Sequence, residues 1–199
     1  RHIEKGDKVY WLICTTLIPD KGYSEKRICT RRKEIEEVAL LYGFAGFKQL
    51  NFATTELDQV PKCYLVKEIS KYISEVNPHT IYLPYRNDAH SDHANVFDAT
   101  TACTKTFRYP SVKKVYMYET LSETEFGLRY DDPGFKPNKW NNISPYMHNK
   151  MAILNIYKSE IKQHPFPRSE KAILSLGILR GIVCGSEFAE AFITLKDIS

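Results

Sequence analysis

Residues 79–98 read His-Thr-Ile-Tyr-Leu-Pro-Tyr-Arg-Asn-Asp-Ala-His-Ser-Asp-His-Ala-Asn-Val-Phe-Asp. The β-rich run Ile81, Tyr82 and Leu83 stops at Pro84, and a short polar loop follows. Asp88, His90, Asp92 and His93, all able to bind metal or move a proton, then arrive within six positions. A helix-like stretch from Ser91 to about Phe107 begins inside that cluster. A strand that ends in a ligand-rich loop feeding a helix N-terminus is where open α/β sheets place their chemistry. Two readings of the cluster stand. In one, the imidazoles and carboxylates form part of a metal or acid–base site, with Ser91 capping the helix and fixing Asp92 and His93 in its first turn. In the other, the stretch is a polar helix entry: Ser91 is the cap, Asp92 answers the helix dipole, and the histidines are merely exposed.

The flanking chain alternates. Lys8–Thr15 is a nearly continuous apolar run that predicts a strand buried on both faces. Residues 27–42 predict a helix closed by Gly43, with Ile35, Val38, Ala39 and Leu41 on its apolar face. Phe47–Leu50 predicts a short strand, and Pro61 fits the first position of a helix running to about Val76. The strand 80–83, the helix from Ser91 and a strand at Lys114–Glu119 follow. Four strand–helix alternations in the first 120 residues argue for a parallel sheet covered by helices. Right-handed crossovers then bring Thr15, Asn51, Arg86 and Thr120 to one edge. Residues 122–145 read as an irregular, substrate-facing loop, with Phe126, Phe135 and Trp140 as candidates for ring stacking. Helices at 146–163 and 168–184 and a strand at 188–195 complete the pattern. Arg1–Lys5 reads as the last turn of a helix closed by a left-handed Gly6, which leads us to expect residues upstream.

Composition narrows the classes. An apolar fraction of 43% and a charged fraction of 26% are ordinary for a globular chain of 199 residues. The net charge of +4 comes from interspersed signs without a basic stripe, which argues against nucleic acid as a partner. The five cysteines are scattered and form no C-x-x-C pair, a pattern that suits free thiols in the cytoplasm. No apolar run is long enough to span a membrane. The oligomeric state is left open, a homo-oligomer included.

The Asp88–His93 segment resembles the C-terminal signature of the LmbE-like (PIG-L-like) N-acetylglucosamine deacetylases. Other stretches are similar in order: Arg31 to Gly43 to the family's R-x-x-E helix, Lys150 to Glu160 to its Lys…Tyr-x-Ser helix, and Leu179-Arg-Gly with Ala189-Glu-Ala-Phe to its closing segment. The resemblance spans the whole chain. It implies a single LmbE-like domain over residues 1–199, an α/β, Rossmann-like three-layer sandwich with a mostly parallel sheet. It also implies a zinc-dependent amidohydrolase that removes an acyl group from a small amino sugar or its conjugate. By that resemblance His93 is a Zn²⁺ ligand, His90 assists the tetrahedral intermediate, Asp92 orients His90, and Arg31 and Asp88 touch substrate. The family's other half-site is a His-Pro-Asp-Asp-Glu-like segment supplying further ligands and a general base. This sequence has no such segment, so we expect the domain to be incomplete at its N-terminus and the chain alone to bind zinc poorly. The loop after Leu50 also departs from the pattern, carrying Thr54-Thr55 where many relatives have Asp.

Two alternatives carry other functions. Asp88-Ala-His-Ser-Asp-His also resembles the His-x-His-x-Asp-His motif of metallo-β-lactamases, but that fold needs antiparallel strands ahead of the motif, against the alternation seen. A non-catalytic binding module with an LmbE-like fold is the second, separable from an enzyme by metal content.

Overall fold

The computed structural model describes all 199 residues, Arg1–Ser199. By its internal contacts the chain falls into two compact units, residues 1–54 with 142–190 and residues 55–141 with 191–199.

The first unit holds strands β1 (Tyr10–Thr16) and β2 (Gly46–Ala53), paired in parallel. The helix between them, α1 (Glu25–Tyr42), starts two residues earlier than its apolar pattern suggests, because the Ser24 side chain accepts the Arg27 N–H and caps it. One face of α1 buries Glu34, Ile35, Val38 and Ala39, while Leu41, expected on that face, is exposed. Gly6 and Gly43 take the left-handed backbone expected of them, at φ 85° and 69°. β1 is half-buried rather than enclosed on both faces, and β2 is its one hydrogen-bonded neighbour. Helix α4 (Met147–Leu154) is much shorter than the 18-residue helix expected from 146 to 163. The chain leaves α4 through turns at 155–161, and the Asn155 side chain donates to Glu170 at the start of α5 (Glu170–Cys184). Ser169 caps α5 by accepting the Ala172 N–H.

The second unit holds a four-stranded sheet in the order β3 (Thr80–Pro84), β4 (Lys114–Tyr118), β6 (Ala189–Asp197), β5 (Lys139–Asn142). β3 and β4 pair in parallel, from Thr80 opposite Lys114 to Pro84 opposite Tyr118. β6 runs antiparallel to β4, so the sheet is partly parallel where a mostly parallel one was expected. The chain leaves β4 for β5 through residues 119–138 with no helix between them, so the crossover that parallel neighbours need is absent at that step. β5 also lies within the stretch expected to be irregular throughout. Helix α2 (Lys62–Val76) follows Pro61, which occupies the cap rather than the first helical position. Leu65, Ile69 and Ile73, four residues apart, put its apolar stripe into the core. Each such side chain contributes about 1.5–3 kcal/mol.

Helix α3 (Ser91–Ala102) packs on α2 and β3 and ends five residues before Phe107. Its last turn is rich in threonine, and the Thr101 hydroxyl bonds back to the Phe97 and Asp98 carbonyls, a local alternative that loosens helices. Across the sheet, Tyr82 meets Tyr116 and Phe192 at ring centroid separations of 5.4 and 5.2 Å. The architecture is a mixed α/β fold.

Candidate active site

Because β3 and β4 are parallel neighbours, their carboxyl ends deliver two loops to the same edge. The ladder continues one residue past β3, where the Tyr85 N–H donates to the Tyr118 carbonyl at 3.0 Å. From there residues 85–90 run into α3, while residues 119–127 fold back over them. The Ala89 N–H donates to the Glu123 carbonyl at 3.0 Å, stitching the two loops together. Gly127 lies so close to the first loop that a Cβ there would sit 2.1 Å from the Asn87 carbonyl oxygen. Only glycine fits that approach.

Asp88 is the buried hinge of the cluster, 3% exposed. Its carboxylate lies 2.6 Å from His93 Nδ1 and accepts the Thr124 hydroxyl, also at 2.6 Å. Thr124 is itself aimed by the Thr120 N–H, which donates to its oxygen at 2.7 Å. A carboxylate only accepts, so His93 Nδ1 carries a proton, and in the neutral ring Nε2 presents a lone pair. His90 is arranged in the opposite sense. It, and not Ser91, is the N-cap of α3, and its Nδ1 accepts the Asp92 backbone N–H at 3.1 Å. An accepting Nδ1 places the proton of the neutral ring on Nε2, which is therefore a donor. The two rings lie nearly parallel, 15° apart with centroids 5.4 Å from each other. One offers a proton where the other offers a lone pair.

Asp92 faces the core. It is 5% exposed, and its two oxygens accept the Thr55 N–H at 2.7 Å and the Leu57 N–H at 3.1 Å. Thr55 has a φ of 67°, rare for a β-branched residue, and the Asp92 bond helps hold it there. The link from Asp92 to His90 runs through its backbone N–H, while its carboxylate pins the loop ahead of α2.

The structure thus brings Asp88, His90, Asp92 and His93 together in one unit. Arg31 belongs to the other. There it pairs with Glu160 and, at 3.2 Å, with the buried Glu34, and it lies over the Tyr157 ring at 5.4 Å. Arg168 reaches the same Glu160 at 3.0 Å. Burial pushes the Tyr157 phenol up to about 12, with Arg31 pulling it down and Glu34 and Tyr42 pushing it up.

Four contributors escape a reading by motif. Thr124 sits in a loop whose relevance depends on β4 lying beside β3. The Thr55 and Leu57 amides are backbone groups without any residue-type signal. Tyr85 follows the strand, is 6% exposed, and donates to Asp132 at 2.6 Å. Burial and that bond to Asp132 push its phenol up to about 12.

The donor set for zinc is partial. No group of three or more His, Cys, Asp or Glu side chains comes together to hold a metal ion, and His93 Nε2 is the one free imidazole lone pair in the cluster. The residues of this chain do not by themselves fit a zinc cage.

Solved structures share the fold. The N,N'-diacetylchitobiose deacetylase from Pyrococcus horikoshii matches with a TM-score of 0.76 at 19% identity, over 98% of this chain and 75% of that one. The conserved protein TT1542 from Thermus thermophilus matches with a TM-score of 0.75 at 18% identity, over 100% and 86%. GalB, the 4-carboxy-2-hydroxymuconate hydratase from Pseudomonas putida, matches with a TM-score of 0.69 at 15% identity, over 100% and 88%. At such identities the likeness establishes the fold. Residues 1–104, just over half of the chain, match the sequence profile of the GlcNAc-PI de-N-acetylases, and the chain belongs to that family, PIG-L.

Proposed function

We propose that this chain carries the histidine half of an N-deacetylase that acts on an N-acetylated amino sugar or a small conjugate of one. The observation that carries the reading is the opposed tautomers of the paired imidazoles, fixed by Asp88 on one ring and by the Asp92 amide on the other. Amide hydrolysis develops negative charge on the carbonyl oxygen, and a preorganised N–H aimed there lowers the barrier. His90 Nε2–H supplies that donor. His93 Nε2 supplies a lone pair for a proton or a Lewis acid, and Asp88 holds that ring in the tautomer that keeps it free. Asp88 is then a positioning residue for His93 rather than a substrate contact, and Asp92 fixes the helix start on which both rings sit. Arg31, engaged by Glu34 and Glu160, serves the fold of its own unit in this reading.

Zinc is the cofactor that family membership suggests, and His93 is the ligand this chain would offer it. Among partners we propose a small neutral sugar derivative in the cytoplasm. No helix is long and apolar enough to cross a membrane, and none of the five cysteines is in a disulfide. A non-catalytic binding module is the second reading, favoured by the partial donor set.

The test is acetate release from N-acetylglucosamine and N,N'-diacetylchitobiose, with and without added Zn²⁺, for the wild type and His93→Ala. Release that the substitution abolishes supports the deacetylase. Sugar binding without release in any metal condition would assign the binding module instead.

A further inference from the structure

The two oxygens of Asp88 are divided between two elements. Oδ2 lies 2.6 Å from Nδ1 of His93, on α3, and Oδ1 accepts the Thr124 hydroxyl at 2.6 Å from the loop after β4. The Asp88 side chain is wholly buried, so no solvent stands ready to replace either donor. The Thr124 proton has a fixed direction. Its oxygen accepts the Thr120 N–H at 2.7 Å, which turns the O–H toward Asp88. A β-branched side chain also has few rotamers by which to leave that geometry.

The loop does not need this hydroxyl to keep its shape or its place. Its turn is closed by backbone bonds from the Glu123 and Thr124 N–H groups to the Thr120 carbonyl, both at 2.8 Å. Its seat on the histidine-bearing loop is set by the Ala89 N–H on the Glu123 carbonyl and by the close approach of Gly127 to Asn87. What the hydroxyl meets beyond its own turn is Asp88.

We propose that Thr124 is a positioning residue for the deacetylation, acting on His93 through Asp88. The inference rests on the deacetylase reading and adds to it a residue from outside the Asp88–His93 segment. Its physical basis is the cost of leaving a buried acceptor unpaired. With Thr124 in place, Oδ1 is satisfied and Oδ2 stays on Nδ1, so the neutral ring keeps its proton there and its Nε2 free. Without the hydroxyl, the carboxylate recovers a partner for Oδ1 only by turning, and turning takes Oδ2 off the ring. The ring then exchanges tautomers, and Nε2 is no longer held as an acceptor. Groups one step behind a working histidine are typically worth about 10–100-fold in activity.

The test uses Thr124→Val, which keeps the shape and removes the hydroxyl, and Thr124→Ser, which keeps the hydroxyl. Each is assayed for acetate release from N,N'-diacetylchitobiose with added Zn²⁺, and by ¹⁵N NMR of the His93 ring in the metal-free protein. In Thr124→Val, kcat should fall about 10–100-fold with little change in KM, and Thr124→Ser should recover most of the loss. The two ring nitrogens of His93 should move toward a common ¹⁵N shift in Thr124→Val and stay apart in Thr124→Ser. Added to Asp88→Asn, Thr124→Val should cost almost nothing more, because the group it acts through is already disabled. Thr124→Ala serves for the same readings where valine disturbs the loop. An unchanged kcat, a change in KM alone, or a full second loss in the double variant overturns the role. Absence of turnover in every variant, wild type included, removes the deacetylase reading instead. The ¹⁵N shifts then decide for Thr124: convergence in Thr124→Val upholds its hold on His93, and unchanged separation overturns it.

Discussion

His90 has two duties that substitution separates. Its Nδ1 caps α3, and in the neutral ring its Nε2 is a donor. Asparagine is among the best capping residues, so His90→Asn should keep stability within about 0.5 kcal/mol of wild type while turnover falls about 10²-fold or more, the loss typical of an oxyanion donor. His90→Ala should lose the same activity and in addition about 1 kcal/mol of stability with the cap. Chemical denaturation beside an acetate-release assay checks both; full activity in His90→Asn removes the donor from the mechanism. Asp88→Asn tests the other ring. An amide at that position can no longer enforce a proton on His93 Nδ1, so turnover should fall by about 10³–10⁴-fold, the scale seen when a histidine loses its carboxylate partner. The ¹⁵N shifts of the His93 ring should change tautomer in parallel, and unchanged shifts would count against Asp88 as its orienter. The cluster itself was legible in the sequence because few loops place two imidazoles and two carboxylates in six positions. The direction of each proton was not, since it depends on which backbone amide or carboxylate each ring meets.

At the scale of elements, the stability of the site resides in the contact between the loops after β3 and β4. Gly127→Ala would drive a methyl group against the Asn87 carbonyl, a backbone atom that cannot swing aside. The expected loss is about 1–3 kcal/mol, with faster amide exchange at Ala89, whose N–H donates to Glu123. Wild-type stability and protection in this variant would mean that the loops are not interlocked. Strand–helix alternation made β1 to β4 readable, because buried β-rich runs and capped helices leave local marks. The reversal of β6 and the early ends of α3 and α4 left none. Strand direction is decided by the connection, and the helix ends are decided by side-chain bonds from Thr101 and Asn155 to distant or competing partners.

For the whole molecule, alkaline pH is the condition under which buried tyrosines act together. Burial first, and then Asp132 and Asp197, push Tyr85 and Tyr116 to about 12, and Tyr157 reaches about 12 chiefly through burial. A phenol with a raised folded pKa favours folding fully below the unfolded value of about 10. Above it the unfolded chain ionises first, so that contribution is lost as pH climbs toward about 12. Thermal melts should therefore show Tm falling over this window, and Tyr116→Phe should fall less steeply than wild type. A slope identical in Tyr116→Phe would exclude Tyr116 as a contributor.

The clamp at Gly127 and the tether at Asp132 have a consequence for how such a protein diversifies. Both ends of the segment between them are fastened to the histidine-bearing loop, one by a steric keyhole and one by a phenol. Insertions or wholesale replacement at 128–131 would then leave the histidine-bearing loop anchored at both contacts. Combinatorial libraries confined to those few positions should yield a high fraction of folded variants, whereas libraries that reach into 120–127 should mostly collapse.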